Sequence, residues 1–170
     1  PSSRDASEVA LYLTQGVRAM AGFDVQRSDF VLSFGSGLLD GWGSPVYTFN
    51  AHSQWRDQGG KLIQIEPRLS RTAAKADQWV PINPGTEGAL ALGIAGVIIK
   101  ESLYDGNFIS SHSSGFQEWK QLVLDGFSSD IVSKITGVKA SVITELARGF
   151  ARANRPLATC GRGKGTGPGS

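Results

Sequence analysis

The fold is predicted most directly by a stretch in the first half of the chain, Leu62-Ile63-Gln64-Ile65-Glu66-Pro67-Arg68. Its apolar positions form a short run that includes β-branched residues, which predicts a buried strand. Pro67 has no amide hydrogen to donate to a sheet, so the strand should end near Glu66. Glu66 and Arg68 then lie at the carboxyl end of a strand, where open α/β sheets bind their ligands.

The residues before this strand predict a βαβ unit. Residues 29–34 form an apolar run typical of a strand, and a glycine motif at 35–37 follows it directly. Pro45 suits the first turn of a helix, which should end at Gly59-Gly60. Because the crossover of a βαβ unit makes its two strands parallel, the strands on either side of this helix should be parallel neighbours.

The rest of the chain predicts a short strand, several helices and a final strand. We expect a long helix opened by Thr86, in which close approach to another element would explain Gly93 and Gly96. We also expect a strand at Trp79–Ile82, helices at 115–125 and 128–137, a helix around Val142, Leu146 and Phe150, and a last strand at Leu157–Cys160. Before the βαβ unit, a first helix should contain Val9, Leu13, Val17 and Met20 and end at Gly22.

This alternation of strands and helices predicts a doubly wound α/β domain with a mainly parallel sheet and helices on both faces, which is a Rossmann-like fold. Phe30–Phe34, Leu62–Glu66 and Leu157–Cys160 should lie in one parallel sheet. We expect residues 1–163 to form this single domain and residues 164–170 to form a flexible, glycine-rich end. Both ends look cut, so we expect a fragment of a larger protein.

Composition excludes several classes of protein and site. The 170 residues are 40% hydrophobic and 19% charged, which predicts a folded core and not a disordered chain. The formal net charge of +2 argues against a nucleic-acid-binding protein, which needs clustered Lys and Arg. Cys160 is the only cysteine, so the chain contains neither an internal disulfide nor a cysteine-rich zinc or iron–sulfur site. No apolar run is long enough to span a bilayer, so we expect no direct membrane insertion.

Two candidate binding groups follow the first two strands of the βαβ unit. The glycine motif at 35–37 lets the backbone approach a phosphate, but Asp40 replaces the third glycine of a dinucleotide loop, so an ordinary strand-to-helix turn remains open. Glu66 has the position of an acid that accepts hydrogen bonds from ribose hydroxyls. The alternative is a surface glutamate paired with Arg68 or Arg71.

Other polar residues carry weaker signals. Glu87 stands in the first turn of the long helix, where a carboxylate favours the helix dipole even without a ligand. Gly161 and the glycine-rich residues after it offer amides to a pyrophosphate or form a solvated tail. Cys160 should be a small buried hydrophobe in the last strand. We interpret the histidines and tryptophans as surface, capping, packing or interface residues, namely His52, His112, Trp42, Trp55, Trp79 and Trp119.

Three blocks in this order resemble the molybdopterin oxidoreductases of the dimethyl sulfoxide reductase family: Ile65-Glu66-Pro67-Arg68, Thr72-Ala73-Ala74-Lys75-Ala76-Asp77 and Pro84-Gly85-Thr86-Glu87-Gly88-Ala89-Leu90. The resemblance extends from about Phe30 to about Gly163. It implies a domain that binds a molybdopterin guanine dinucleotide. The cofactor-binding residues that it implies are Gly35, Ser36, Gly37, Glu66, Pro67, Arg68, Pro84, Gly85, Thr86, Glu87 and Gly161.

Two positions depart from the pattern of the family. Its glycine loop is usually G-x-N, and Gly37 stands where the asparagine would be. The family more often has aspartate at the position of Glu87. A carboxylate there would accept hydrogen bonds from N1 and the amino group of guanine, and adenine presents no such pair of donors.

The resemblance also implies a larger assembly. In the intact family, two such cofactors hold a molybdenum or tungsten ion for two-electron redox chemistry. The implied partners are the remaining domains of the same polypeptide and an iron–sulfur electron-transfer subunit, at the periplasmic or cytoplasmic face of a bacterial membrane complex, with the periplasm slightly favoured. We identify no catalytic or metal-ligating residue, so the chain alone should not turn over substrate. The resemblance also implies that the cofactor is held between several domains, so this one domain should not retain it when isolated.

Three alternatives remain from the sequence. The first is a non-catalytic family member, a scaffold subunit of an electron-transfer complex, which the glycine at position 37 leaves open. The second is the central nucleotide-binding domain of a thiamine-diphosphate enzyme, against which the Pro84-Gly85-Thr86-Glu87 block argues. The third is a simple NAD-binding Rossmann domain, which the missing third glycine disfavours.

Overall fold

A computed structural model describes residues 9, 11–19, 23–41 and 45–160. Within these residues one sheet contains four strands: β1 Phe30–Phe34, β2 Lys61–Ile65, β3 Gln78–Val80 and β4 Pro156–Cys160. The strand order is β3-β2-β1-β4, and each neighbouring pair is parallel. The predicted parallel sheet is therefore confirmed, with the strand bounds shifted by one or two residues.

The helices after the glycine motif follow the predicted order. They are α1 Pro45–Asp57, α2 Arg71–Lys75, α3 Glu87–Lys100, α4 Gly106–His112, α5 Phe116–Gly126, α6 Ser129–Thr136 and α7 Ala140–Arg152. The sequence analysis missed α2 and α4, which are too short and too polar to show an apolar period. Side chains cap both of them, since Ser70 accepts from the Ala73 amide and Asp105 accepts from the amides of Asn107 and Phe108.

Apolar side chains cover both faces of the sheet because successive residues of a strand point to opposite sides. Leu32, Ile63 and Ile65 belong to the larger core, which α3, α6 and α7 cover. Val31 and Leu62 face the other way and pack with Trp55 of α1 in a smaller core. The prediction of helices on both faces is confirmed.

The glycines of α3 mark close helix packing, as predicted. A β-carbon on Gly93 would lie 2.8 Å from a methyl group of Val132 in α6. A β-carbon on Gly96 would lie 3.1 Å from the carbonyl oxygen of Phe127. α3 therefore lies so close to its neighbours that a side chain at Gly93 would clash with Val132, and one at Gly96 would push the Phe127 carbonyl by a few tenths of an ångström.

Two expectations about the ends of the chain were wrong. Residues 11–15 are helical, but Gly16 has a φ of +70° and ends that helix, so Leu13 and Val17 do not share a longer amphipathic helix. Met20 and Gly22, which were expected to complete it, lie outside the described residues. Cys160 is exposed and not buried, and it ends β4, which is an edge strand among the described strands. No helix in the described part of the chain is long and apolar enough to cross a lipid bilayer.

Asp29 ties the start of β1 to the start of β4. Its carboxylate accepts hydrogen bonds from the amides of Asn154 and Arg155 at 2.8 and 2.9 Å. Burial raises the pKa of Asp29, but the hydrogen bonds from Arg155 and Asn154 outweigh it and hold the pKa below its usual value. Because folding lowers the pKa of Asp29, its ionised form stabilises the folded state. This contribution to the free energy of unfolding is completely present at neutral pH.

We expect Asp29→Asn to lower the free energy of unfolding by about 1 kcal/mol at pH 7, since solvent screens this partly exposed carboxylate. The difference from wild type should shrink as the pH falls below about 4, where the native carboxylate is protonated. Urea unfolding of both proteins at several pH values would measure it. A difference in the free energy of unfolding that stays constant down to a pH of about 2.5 would contradict this account.

Candidate functional site

The sequence-predicted site residues gather at the carboxyl edge of the sheet, which we define as the loops at 35–41, 66–70 and 81–87. The Gly35 amide donates to the Ile65 carbonyl at 2.9 Å, and the Glu66 amide donates to the Val80 carbonyl at 3.3 Å. The ends of β1, β2 and β3 are therefore level with one another, and Gly35 and Glu66 lie side by side. Gly161, which was expected to complete this edge, lies outside the described residues.

The loop at 35–41 offers backbone amides, and not the side chain of Ser36, to a ligand. Ser36 is fully buried, and its hydroxyl is hydrogen-bonded to the hydroxyls of Ser33 at 2.6 Å and Thr159 at 2.8 Å. The side chain of Ser36 is therefore occupied by the interior. The amides of Ser36 and Gly37 donate no hydrogen bond to any described residue. Two adjacent backbone donors at the end of a parallel strand are suited to an anion such as a phosphate.

Gly37 lies at a place where a side chain would be crowded. A β-carbon built there would lie 3.2 Å from the β-carbon of Asp40. An asparagine at this position would require a small shift of the loop. The glycine thus fits the local packing of this chain, and the loop supplies no side-chain hydrogen bond at position 37.

Glu66 is a buried carboxylate held by backbone groups. Only 8% of it is exposed, and its Oε1 atom accepts from the Ser70 amide at 3.2 Å. Its carbonyl oxygen accepts from the indole nitrogen of Trp79 at 3.0 Å. Arg71, one of its two expected surface partners, lies instead 3.7 Å from Asp40. Pro67 and Arg68 follow as exposed residues at the rim of the site.

The Pro84-Gly85-Thr86-Glu87 block is a tight turn into α3. Gly85 has a φ of +78°, and a β-carbon there would lie in open space, so the backbone conformation and not crowding favours glycine. The Thr86 hydroxyl donates to the Asn83 carbonyl at 2.7 Å. Asn83 in turn donates from its amide to Thr136 and from its side chain to Ile135, both at 2.9 Å. The turn is therefore fixed to the end of α6.

Glu87 carries the clearest sign of a missing partner. It is the first residue of α3, and the start of a helix favours a negative charge. Its Oε2 atom is buried, yet no described residue donates a hydrogen bond to it. Burying a carboxylate oxygen without a donor costs free energy, and that cost disappears when a ligand supplies the donor. A carboxylate accepts two parallel hydrogen bonds, so the matching ligand edge carries two neighbouring N–H groups.

Sequence reasoning missed the residues that join these loops. Asp40 accepts from the Thr72 amide at 3.3 Å and from the Thr72 hydroxyl at 3.2 Å. The same hydroxyl accepts from the Leu39 amide at 3.1 Å. The signals were present, since Asp40 replaces the expected third glycine and Thr72 opens the second family block, but no sequence pattern indicates that the two residues meet.

Several polar residues do not belong to the carboxyl edge. His52 lies on α1 beside Trp55, and His112 ends α4, where it stacks on Phe108. Among the described residues, no three His, Cys, Asp or Glu side chains come together in a way that would hold a metal ion. Trp55 is buried as a packing residue, as expected, whereas Trp119 is exposed. Trp79 contacts a predicted site residue, since its indole nitrogen donates a hydrogen bond to the carbonyl oxygen of Glu66.

Comparison with known proteins identifies relatives of this chain. The family model described as molybdopterin oxidoreductase matches residues 4–136. The molybdopterin-binding-like subunit of menaquinone reductase from Nitratidesulfovibrio vulgaris is 36% identical over 86% of this chain and 21% of its own length. Formate dehydrogenase H from Escherichia coli is 33% identical over 92% of this chain and 22% of its own length.

One of the solved structures that match this chain has the same fold. Acetylene hydratase from Pelobacter acetylenicus superposes with a TM-score of 0.78 at 33% identity, over 93% of this chain and 21% of that protein. The chain thus spans about a fifth of the length of the proteins it matches. These comparisons give no support to the thiamine-diphosphate alternative.

Proposed function

The chain belongs to the molybdopterin oxidoreductase family, and from this we propose that its carboxyl edge holds the guanine nucleotide end of a molybdopterin guanine dinucleotide. The single observation that carries the proposal is the buried, unpartnered Oε2 atom of Glu87. Guanine has an N1 hydrogen and a neighbouring amino group, which together form the donor pair that a carboxylate accepts. Adenine has an unprotonated N1 in the same place and would leave Glu87 without a partner.

The other loops match the remaining parts of a nucleotide. Glu66 lies at the end of β2, where an acid accepts hydrogen bonds from ribose hydroxyls. The Ser36 and Gly37 amides at the end of β1 are suited to the phosphates. Arg68 at the exposed rim adds a positive charge near the same edge. The site thus offers an acceptor pair for the base, an acceptor for the sugar and donors for the phosphates.

The domain would act by binding and orienting its ligand. When bound, the cofactor supplies a molybdenum or tungsten centre for redox chemistry. The chain's own residues fix the nucleotide end, because Glu66 and Glu87 are held by backbone contacts and helix geometry. We propose that the rest of the protein supplies the pterin contacts and the metal ligand, and that an iron–sulfur subunit exchanges electrons with it in a complex at a bacterial membrane, on its periplasmic side.

A second candidate is a scaffold subunit that retains the fold without the metal. Two observations favour it: Gly37 lacks the side chain that the family usually has there, and one relative is described as a molybdopterin-binding-like subunit. Both candidates have the same domain structure. Molybdenum and tungsten analysis of the intact assembly separates them, because the scaffold would contain neither metal.

We expect the chain to bind GDP more tightly than ADP by about tenfold or more, which corresponds to about 1.4 kcal/mol for the guanine donor pair. Isothermal titration calorimetry with the two nucleotides measures the difference directly. GMP should keep the preference, since it retains the base and ribose. Equal, measurable affinities for GDP and ADP would contradict the proposed function.

A further inference from the structure

The loops at the ends of β1 and β2 are joined by a bridge that consists of Asp40 and Thr72. One oxygen of Asp40 accepts from both the amide and the hydroxyl of Thr72, at 3.3 and 3.2 Å. The Thr72 hydroxyl also accepts from the Leu39 amide at 3.1 Å. Thr72 and Leu39 are almost fully buried, so water does not replace these hydrogen bonds readily. One side chain therefore connects the loop at 35–41 with α2.

A second contact ties the loop at 35–41 to the strand β2. Gln64 of β2 donates from its side chain to the Ser36 carbonyl at 3.3 Å, and both residues are fully buried. α2 is in turn connected to Glu66, because Ser70 caps α2 with its hydroxyl and donates from its amide to the Glu66 carboxylate. Hydrogen bonds thus connect the glycine loop through Asp40 and Thr72 to α2, and the start of α2 through Ser70 to Glu66.

We propose that Thr72, acting through Asp40, is a positioning residue that sets the distance between the phosphate-binding loop and the ribose-binding carboxylate. This inference rests on the proposed function and goes beyond it, because Thr72 is fully buried and is not itself proposed to contact the nucleotide. A nucleotide that contacts the Ser36 and Gly37 amides and the Glu66 carboxylate together requires both to be held in one arrangement. The bridge holds that arrangement before the ligand binds, so the ligand does not have to order the loops.

Two substitutions at one position test the bridge. Thr72→Val preserves the shape of the side chain but removes the hydroxyl, so the buried Leu39 amide loses its acceptor and Asp40 loses a donor. Thr72→Ser retains the hydroxyl and should restore the bridge. Ser28→Ala is the matched control, because Ser28 is also buried and its hydroxyl donates to the Val25 carbonyl at the opposite, amino edge of the sheet.

The first readout is GDP affinity by calorimetry, at a temperature where thermal melts show each variant to be folded. Thr72→Val should bind GDP about tenfold more weakly than wild type, whereas Thr72→Ser and Ser28→Ala should stay within about threefold of it. A purely structural role for Thr72 would lower the melting temperature and leave the affinity of the folded protein unchanged. That result, or equal weakening by Ser28→Ala, would overturn the proposal.

The second readout is amide hydrogen exchange, which needs no ligand. In Thr72→Val the amides of residues 36–41 and 66–70 should exchange faster together, and Thr72→Ser should return both segments to the wild-type rate. Faster exchange confined to one segment would overturn the coupling. If wild type shows no measurable affinity for GDP, hydrogen exchange alone decides whether the bridge couples the loops, while equal affinities of wild type for GDP and ADP would count against the proposed function and not against the bridge.

Discussion

Gly60→Ala is expected to lower the free energy of unfolding by about 3 kcal/mol, near the upper end of what overpacking a core usually costs. A β-carbon on Gly60 would lie 1.9 Å from the indole nitrogen of Trp55, with two further ring atoms within 2.4 Å. Trp55 is only 1% exposed and cannot move into solvent. The Gly60 amide also donates to the Trp55 carbonyl at 3.2 Å, which fixes the backbone against the ring.

The matched control for this substitution is Gly126→Ala. Gly126 is the last residue of α5, and a β-carbon there would lie in open space, so the same chemical change should have little effect on stability. Thermal melts of both variants would show a decrease of about 6–12 °C for Gly60→Ala alone. In the double variant with Trp55→Leu, the cost of Gly60→Ala should be smaller than in wild type. Equal costs in the two backgrounds would show that the ring is not the cause.

Glu87→Gln should abolish the preference for guanine. The amide retains the size of the side chain but offers one acceptor oxygen and no charge, so it cannot accept from both N–H groups of guanine. Losing a charge-assisted contact of this kind typically costs about 1.5–3 kcal/mol, which is about 10–100-fold in GDP affinity. The affinity for ADP should change little, because Glu87 is not proposed to donate to or accept from adenine.

Glu118→Gln is the control for this second substitution. Glu118 is an exposed glutamate in the first turn of α5, so its replacement has the same effect on charge and a comparable effect on a helix dipole. Calorimetry with GDP and ADP should show wild-type affinities for Glu118→Gln. If Glu87→Gln retains the full preference for GDP, or if Glu118→Gln loses it as well, then Glu87 does not recognise the base.

The sheet was predictable because its strands have strong local signals. β1 and β2 are compact apolar runs with a glycine motif or a proline directly behind them, and the βαβ rule fixes their relative direction. The helix α3 was predictable for a similar reason, since Thr86 marks its start and its apolar residues recur around most of its surface. In these elements the local pattern and the tertiary structure agree.

Most of the wrong or missing predictions concern features that depend on tertiary contacts, which local sequence patterns do not show. Cys160 is apolar enough for a core strand, but its exposure depends on β4 being at the edge of the sheet, which no local pattern reveals. The first helix is an exception, because the local signal of Gly16 ends it although its apolar spacing continues to Val17. Asp40 and Thr72 are 32 positions apart, and their hydrogen bonds follow from the packing of two loops. The location of the candidate site residues at strand ends was therefore predictable, whereas the contacts that connect their loops were not.

The most direct test of the account is the nuclear magnetic resonance spectrum of the isotope-labelled chain during titration with GDP. The backbone amide signals of Ser36, Gly37, Glu66 and Glu87 should shift together along one binding curve, because all four lie at the carboxyl edge of the sheet. Signals at the opposite edge, such as those of Asp29 and Arg155, should not move. Shifts confined to that opposite edge, or shifts of the same size and pattern with ADP, would contradict the assignment of this edge as a guanine nucleotide site.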